Sequence, residues 1–220
     1  MSKIFKLSEY EVDQLKEIIN IGVSHAGTTL SQMVNRRITI SVPEVEIKSA
    51  ETVSQFVDNP DDITLAVLLG LSGGIEGYIF LFFPQSAARQ LLHALSGKSV
   101  GDLRALDKYD RSIFQEIGNI ITGGMLGGLS RFLHLEMLHS VPNVVVDMGG
   151  AMFNSLAATM VAHHEEFISL DVSVCVNASE DAILCNDGEE AVGRMFLFIG
   201  PDAVRQVLAI TKEIKQAEPS

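Results

Sequence analysis

The chain has 220 residues, 47% of them hydrophobic and 20% charged, which suits a soluble globular fold with a sizeable core and excludes the disordered and fibrous classes. Its formal net charge of -12 argues against nucleic acid and anionic membrane surfaces as partners, because phosphate binding needs a basic face. The opening residues lack a secretory leader pattern, the longest apolar runs (Ile63–Leu71 and Tyr78–Pro84) are far short of a membrane span, and Cys175 and Cys185 form no CxxC pair, so the expected setting is cytosolic with reduced thiols.

Ser8-Glu9-Tyr10-Glu11 reads as a capping box. Behind it Val12, Leu15, Ile18, Ile19, Gly22, Val23, Ala26, Leu30 and Met33 keep the helical period, predicting a helix over 9–34. Strand-forming sequence follows at Arg37–Ile47, then a loop over Glu51–Asp62. Strands at Ile63–Leu71 and Glu76–Phe83 flank a Ser72-Gly73-Gly74 turn. A short helix over Gln85–Leu95 ends at Ser96-Gly97. The order then recurs: a long helix over Asp107–Phe132, a β segment over Leu135–Asp147, strands at Ile168–Val176 and Gly193–Ile199, and a closing helix over Asp202–Ile214.

The recurrence is visible in the residues themselves. Glu17, Asn20 and Pro43 have counterparts in Glu116, Asn119 and Pro142, each 99 positions later. FLFFPQSAARQLL (Phe80–Leu92) matches FLFIGPDAVRQVL (Phe196–Leu208) at an offset of 116. The second half therefore holds 17 extra residues (116 − 99) between Pro142 and Phe196, with Gly149–His164 a plausible extra helix. The expected fold class is α+β: two α-β(X)-β2 halves related by a pseudo-twofold axis, with mainly antiparallel sheet packed on two long helices. The short linker Gly97–Leu106 predicts one fused domain over 1–220, with repeats at about 8–97 and 107–214.

On a helical wheel of about 100° per residue, Asp13, Glu17 and Asn20 fall within roughly 60° of one another. Ser112, Glu116 and Asn119 do the same on the second helix. Leu15, Ile18, Gly22, Ala26 and Met33 oppose the first stripe, and Phe114, Ile117, Ile121 and Met125 the second. A lone Glu and Asn on a helix are ordinarily a solvated face. The same pair in both halves, each followed 23 positions later by a proline, points to a function. Asparagine is a poor base and nucleophile, but its amide can hold a water through a donor and an acceptor. Glutamate can serve as a base or pair with a partner's lysine. No nucleophile has a local activating partner, and no phosphate-binding glycine loop is present. The pattern suits docking and water positioning on a substrate that brings its own electrophile.

Other residues read more plainly. Adjacent His163 and His164 point apart, so His163-His164-Glu165-Glu166 reads as a polar loop. His25, His93, His134 and His139 are scattered, and Glu189-Glu190 beside Gly188 reads as a loop. Gly149-Gly150 suggests a hinge.

Asp13, Glu17, Asn20 and Pro43, then Ser112, Glu116, Asn119 and Pro142, resemble the D/S-x3-E-x2-N-x22-P motif of the CheC/CheX/FliY phosphatases twice over. The likeness covers nearly the whole chain, and two intact motifs without a flagellar-switch extension most resemble the CheC type. The resemblance implies hydrolysis of the phospho-aspartate of the response regulator CheY. It implies that Asn20 and Asn119 orient the attacking water, and that Glu17 and Glu116 pair with the receiver's lysine. Asp13 and Ser112 would support the helix or the contact surface, and Pro43 and Pro142 would shape the following strand. The protein would have no cofactor of its own, the Mg²⁺ being supplied by the phosphorylated receiver. The deamidase CheD is a further partner by resemblance. The competing readings are an adaptor that sequesters phosphorylated CheY or CheD, and an interaction domain like the middle domain of FliM, which generally lacks the Glu/Asn pairs.

Overall fold

The structure is a computed structural model that describes residues 8–35, 37–49, 59–161, 166–176 and 189–199, with Gln206 and Ala209. Helix α1 spans Glu9–Val34. Ser8 caps it, and the Glu11 side chain answers by accepting from Ser8 N at 2.8 Å. At its other end Asn35 takes a left-handed conformation, φ 51°, and its N–H closes on Ser31 O; asparagine tolerates this better than most residues. Helix α3, Lys108–Leu133, begins and ends by the same devices, with Asp107 and Asp110 as the capping box and His134 at φ 52°.

Between them lie strand β1 (Ile38–Ser49), β2 (Ile63–Gly73), β3 (Gly77–Pro84) and helix α2 (Gln85–Ser96). After α3 come β4 (Met137–His139), β5 (Asn143–Met148), helix α4 (Gly149–Val161), β6 (Glu166–Val176) and β7 (Glu189–Ile199). The seven strands form one sheet in the order β1-β6-β7-β3-β2-β4, with β5 also on β2, and every pairing is antiparallel.

Alternation along the strands gives the sheet two faces. One carries Leu65, Val67, Leu69, Ile79, Leu81, Phe83, Met195 and Leu197, all buried against α1, α2 and α3. The other carries Ala66, Phe82, Phe196 and Phe198, and Phe153 of α4 closes over them. Phe82 stacks on Phe153 at 4.4 Å between ring centroids. The helix that sequence places among the extra residues is therefore α4, a cover for the second face.

The long helices touch at glycine. A methyl group on Gly22 would lie 2.5 Å from Gly124 O, and one on Gly124 would lie 2.7 Å from Gly22 O. Only the absence of side chains there lets the two backbones meet. A linker joins α2 to α3 and is pinned by Lys98, whose Nζ lies 2.9 Å from Asp107 Oδ2 and 2.6 Å from the buried Asp110 Oδ2. Those bonds raise the Lys98 ammonium above its ordinary value, Asp110 contributing most. The Asp107 carboxyl is held below its ordinary value, first by the Asp110 N–H and then by Lys98.

Several expectations change. Met33 is 56% exposed rather than packed inward, since it lies in the last turn of α1, past Leu30, the last buried residue of the helix among those described. The single β segment over 135–147 is two strands, β4 and β5, interrupted at 140–142 where Pro142 offers no N–H to a ladder. Glu189 and Glu190 are not a loop: they pair with Val176 and Cys175 as the start of β7. Gly149 and Gly150 are not a hinge, because their N–H groups bond Asp62 O and Pro60 O at 2.8 Å each. The expected loop at 51–62 lies outside the described residues up to 58. So do His163–Glu165, Cys185 and the closing helix apart from Gln206 and Ala209, both helical.

Candidate functional site on the outer stripes of the long helices

Asp13 and Glu17 are exposed and Asn20 is half-buried, on one stripe of α1 as the wheel requires. With Lys16, Ile21 and Ser24 they line an open groove of about 440 Å³. Ile21, which the sequence reading did not single out, is 53% exposed beside them. On α3, Ser112 and Glu116 are exposed and Asn119 is half-buried. Ser112 Oγ donates to Tyr109 O at 2.7 Å, a bond inside the first turn. Among the described residues neither Glu17 nor Glu116 has an ion-pair partner.

The two asparagines differ in what they touch. Asn20 Nδ2 donates to Lys16 O at 2.9 Å and to Val42 O at 3.0 Å, while Asn20 Oδ1 accepts from Val42 N at 2.8 Å. Both amide hydrogens are used, and one acceptor lone pair remains. Asn119 has no hydrogen-bond partner among the described residues. The reason lies in the strand that follows each helix. β1 runs unbroken past Asn20, so the Val42 backbone is presented to it. The residue 99 positions on is Val141, in the break between β4 and β5 and 84% exposed. There Gln115, one turn earlier, bonds the break itself, its Nε2 donating to Pro142 O at 3.0 Å.

The prolines sit where they limit the ladder. The β1–β6 register shifts between Ser41 and Glu44, around Pro43, as expected of a residue without a backbone donor. Pro142 is buried. Two serines that the sequence reading passed over fasten each helix to its strand. Ser31 Oγ accepts from Ile38 N at 2.8 Å, and Ser130 Oγ accepts from Met137 N at 3.2 Å. Their signal was present, since they too are 99 positions apart.

Each helix thus offers solvent an unpaired carboxylate and, one turn on, an amide. On α3 the amide is free to bond a ligand or a water from both its atoms. On α1 it is engaged by backbone.

Comparison with known proteins gives the family. The family model described as "Chemotaxis phosphatase CheX" matches residues 65–164, and that described as "CheC-like family" matches residues 12–47. The chain is 30% identical over 176 residues to the CheY-P phosphatase CheC of Bacillus subtilis (strain 168), covering 79% of this chain and 84% of that one. It is 27% identical over 139 residues to the flagellar motor switch phosphatase FliY of the same organism, covering 63% of this chain and 36% of that one. Thermotoga maritima FliY has a similar fold, with a TM-score of 0.73 at 20% identity over 95% of this chain and 99% of that one. The FliM middle domain of H. pylori is also similar, with a TM-score of 0.59 at 10% identity over 93% and 99%. No helix among the described residues is long and apolar enough to cross a membrane. By its identity to CheC over most of both chains, this chain belongs to the CheC-type chemotaxis phosphatase family.

Proposed function

We propose that this protein hydrolyses the phospho-aspartate of a CheY-type receiver by docking a long helix across the phosphorylation site. The observation that supports it most is the exposed, unpaired Glu116 with an uncommitted Asn119 amide one turn further along α3. Glu116 pairs with a lysine of the receiver and sets the pose. Asn119 orients a water in line with the phosphorus–oxygen bond to be broken, so that the rate gain comes from position. The Mg²⁺ of the reaction belongs to the phosphorylated receiver and enters with it.

Glu17 and Asn20 form the second site in the same sense, with Asp13 and Ser112 supporting the two contact surfaces. Asn20 must exchange its bonds to Val42 before it can hold a water, so the α3 site carries the greater share of turnover. The two sites reflect a duplication, with repeats at about 8–97 and 107–214 fused into one domain. The protein works in the cytoplasm, and CheD is a second partner.

The test is the decay of a phosphorylated cognate receiver with wild type, Asn20→Ala, Asn119→Ala and the double variant. Acceleration by wild type that is lost in the double variant supports the reading, with Asn119→Ala the slower single variant. A wild type that binds the phosphorylated receiver without hastening its decay would make the protein a sequestering adaptor instead.

A further inference from the structure

The α3 site has a neighbour that the motif does not include. His139 ends β4, and its ring turns onto α3. Its Nδ1 lies 3.0 Å from Ser140 O. A carbonyl oxygen only accepts, so Nδ1 is the donor of this contact, and in the neutral tautomer that makes it Nε2 is an acceptor. That Nε2 lies over Gly123: a methyl group there would come within 3.6 Å of it. Gly123 is one turn beyond Asn119 on the same stripe, a spacing at which side chains are neighbours about 5–6 Å apart. The glycine leaves nothing of its own over the imidazole.

The ring is also held in place. His139 pairs with Leu71 of β2. The next residue is bonded both ways to Gly70, Ser140 N donating to Gly70 O and Ser140 Oγ accepting from Gly70 N, each at 2.9 Å. The residue 99 positions before His139 is Ile40, buried and without a polar atom. The β1 side chain at the matching position therefore offers no acceptor, while that of β4 offers one facing the turn that follows the free asparagine.

We propose that His139 is a third member of the α3 site, its Nε2 accepting a hydrogen bond from the water that Asn119 orients. The inference rests on the phosphatase reading given above. Held from two sides, the water keeps a lone pair directed at phosphorus. In the step itself the water oxygen bonds to phosphorus, the bond from phosphorus to the aspartate oxygen breaks, and its electron pair leaves on the carboxylate. The water's protons depart with the released phosphate or pass to solvent.

Three substitutions separate this role from simple packing, each made in a Glu17→Ala background that weakens the α1 site. His139→Ala removes both ring nitrogens. His139→Asn keeps a donor near the position of Nδ1 but does not reach α3. His139→Gln reaches α3 with an acceptor oxygen near the position of Nε2. The expected result is a fall of about tenfold in kcat for Ala and Asn, with KM little changed, and recovery to within about threefold for Gln. Melting curves show which variants are folded, and if the Ala variant is not, the comparison of Asn with Gln decides. A folded Ala variant as fast as its background, or a Gln variant as slow as Asn, would overturn the inference and leave the phosphatase reading standing. A wild type that does not accelerate receiver dephosphorylation would overturn both.

Discussion

The side chain of Asn20 brackets the backbone of Val42, donating to its carbonyl at 3.0 Å and accepting from its N–H at 2.8 Å. One polar side chain therefore joins helix α1 to strand β1 across a sequence gap of 22 residues. Asn119 makes no such link. The residues match by motif and differ by task.

Substituting each asparagine by alanine should separate stability from activity. Asn20→Ala leaves the Val42 N–H and C=O without these partners and should cost about 1–3 kcal/mol of unfolding free energy. Asn119→Ala breaks no protein hydrogen bond among the described residues and should unfold as wild type does. Urea unfolding of both variants checks this, and equal loss in the two would remove the distinction.

The glycine contact between the long helices sets a second expectation, one of sign. Helix propensity alone favours Gly→Ala by about 1 kcal/mol. At Gly127, where a methyl group would meet nothing within 4 Å, Ala should stabilise by up to that amount. At Gly22 the methyl would lie 2.5 Å from Gly124 O and 2.9 Å from Met125 Cα. These are backbone atoms, which can move only by parting the helices. Gly22→Ala should therefore destabilise by about 1–3 kcal/mol. Thermal melts of the two variants should shift in opposite directions.

The Lys98 bridge has a pH signature. Asp107 is depressed in the folded state from its ordinary 3.8, so its contribution is present above that value and lost as pH falls through the folded one. Lys98 is raised above its ordinary 10.5, so its contribution is present below that value and lost only at higher pH. Lys98→Met should therefore lose less stability than wild type on acidification below about pH 4. Unfolding free energies compared at neutral and acid pH measure the difference, and parallel acid profiles would show that the bridge contributes nothing there.

The long helices were legible because their ends are written locally. Ser8 with Glu11 places the start of α1, which spans 9–34 as the period predicts, and the expected start of the second long helix at Asp107 falls within a residue of that of α3. The polar stripes were legible for the same reason, since a wheel needs only spacing. The break at 140–142 was not, because it depends on how Ser140 and Pro142 meet β2 and α3. Glu189 and Glu190 looked like loop because they follow Gly188, and their pairing with β6 is a long-range contact. The engagement of Asn20 by a strand residue, and the turn of His139 onto α3, are long-range contacts that leave no period in the sequence. His139 looked like one scattered histidine among several for that reason.

The antiparallel pairing of β1 with β6 joins Ile38 to Val176. In the strand order β1-β6-β7-β3-β2-β4, no other strand among the described residues flanks β1. During synthesis β1 leaves the ribosome with its ladder groups unmatched and stays so until the chain has grown by well over a hundred residues. Closing so large a loop is slow, and an open strand edge invites pairing with other chains in the meantime. The rate at which β6 arrives thus governs how long the nascent protein is exposed to aggregation, and a chain stopped before β6 would keep that edge open for good.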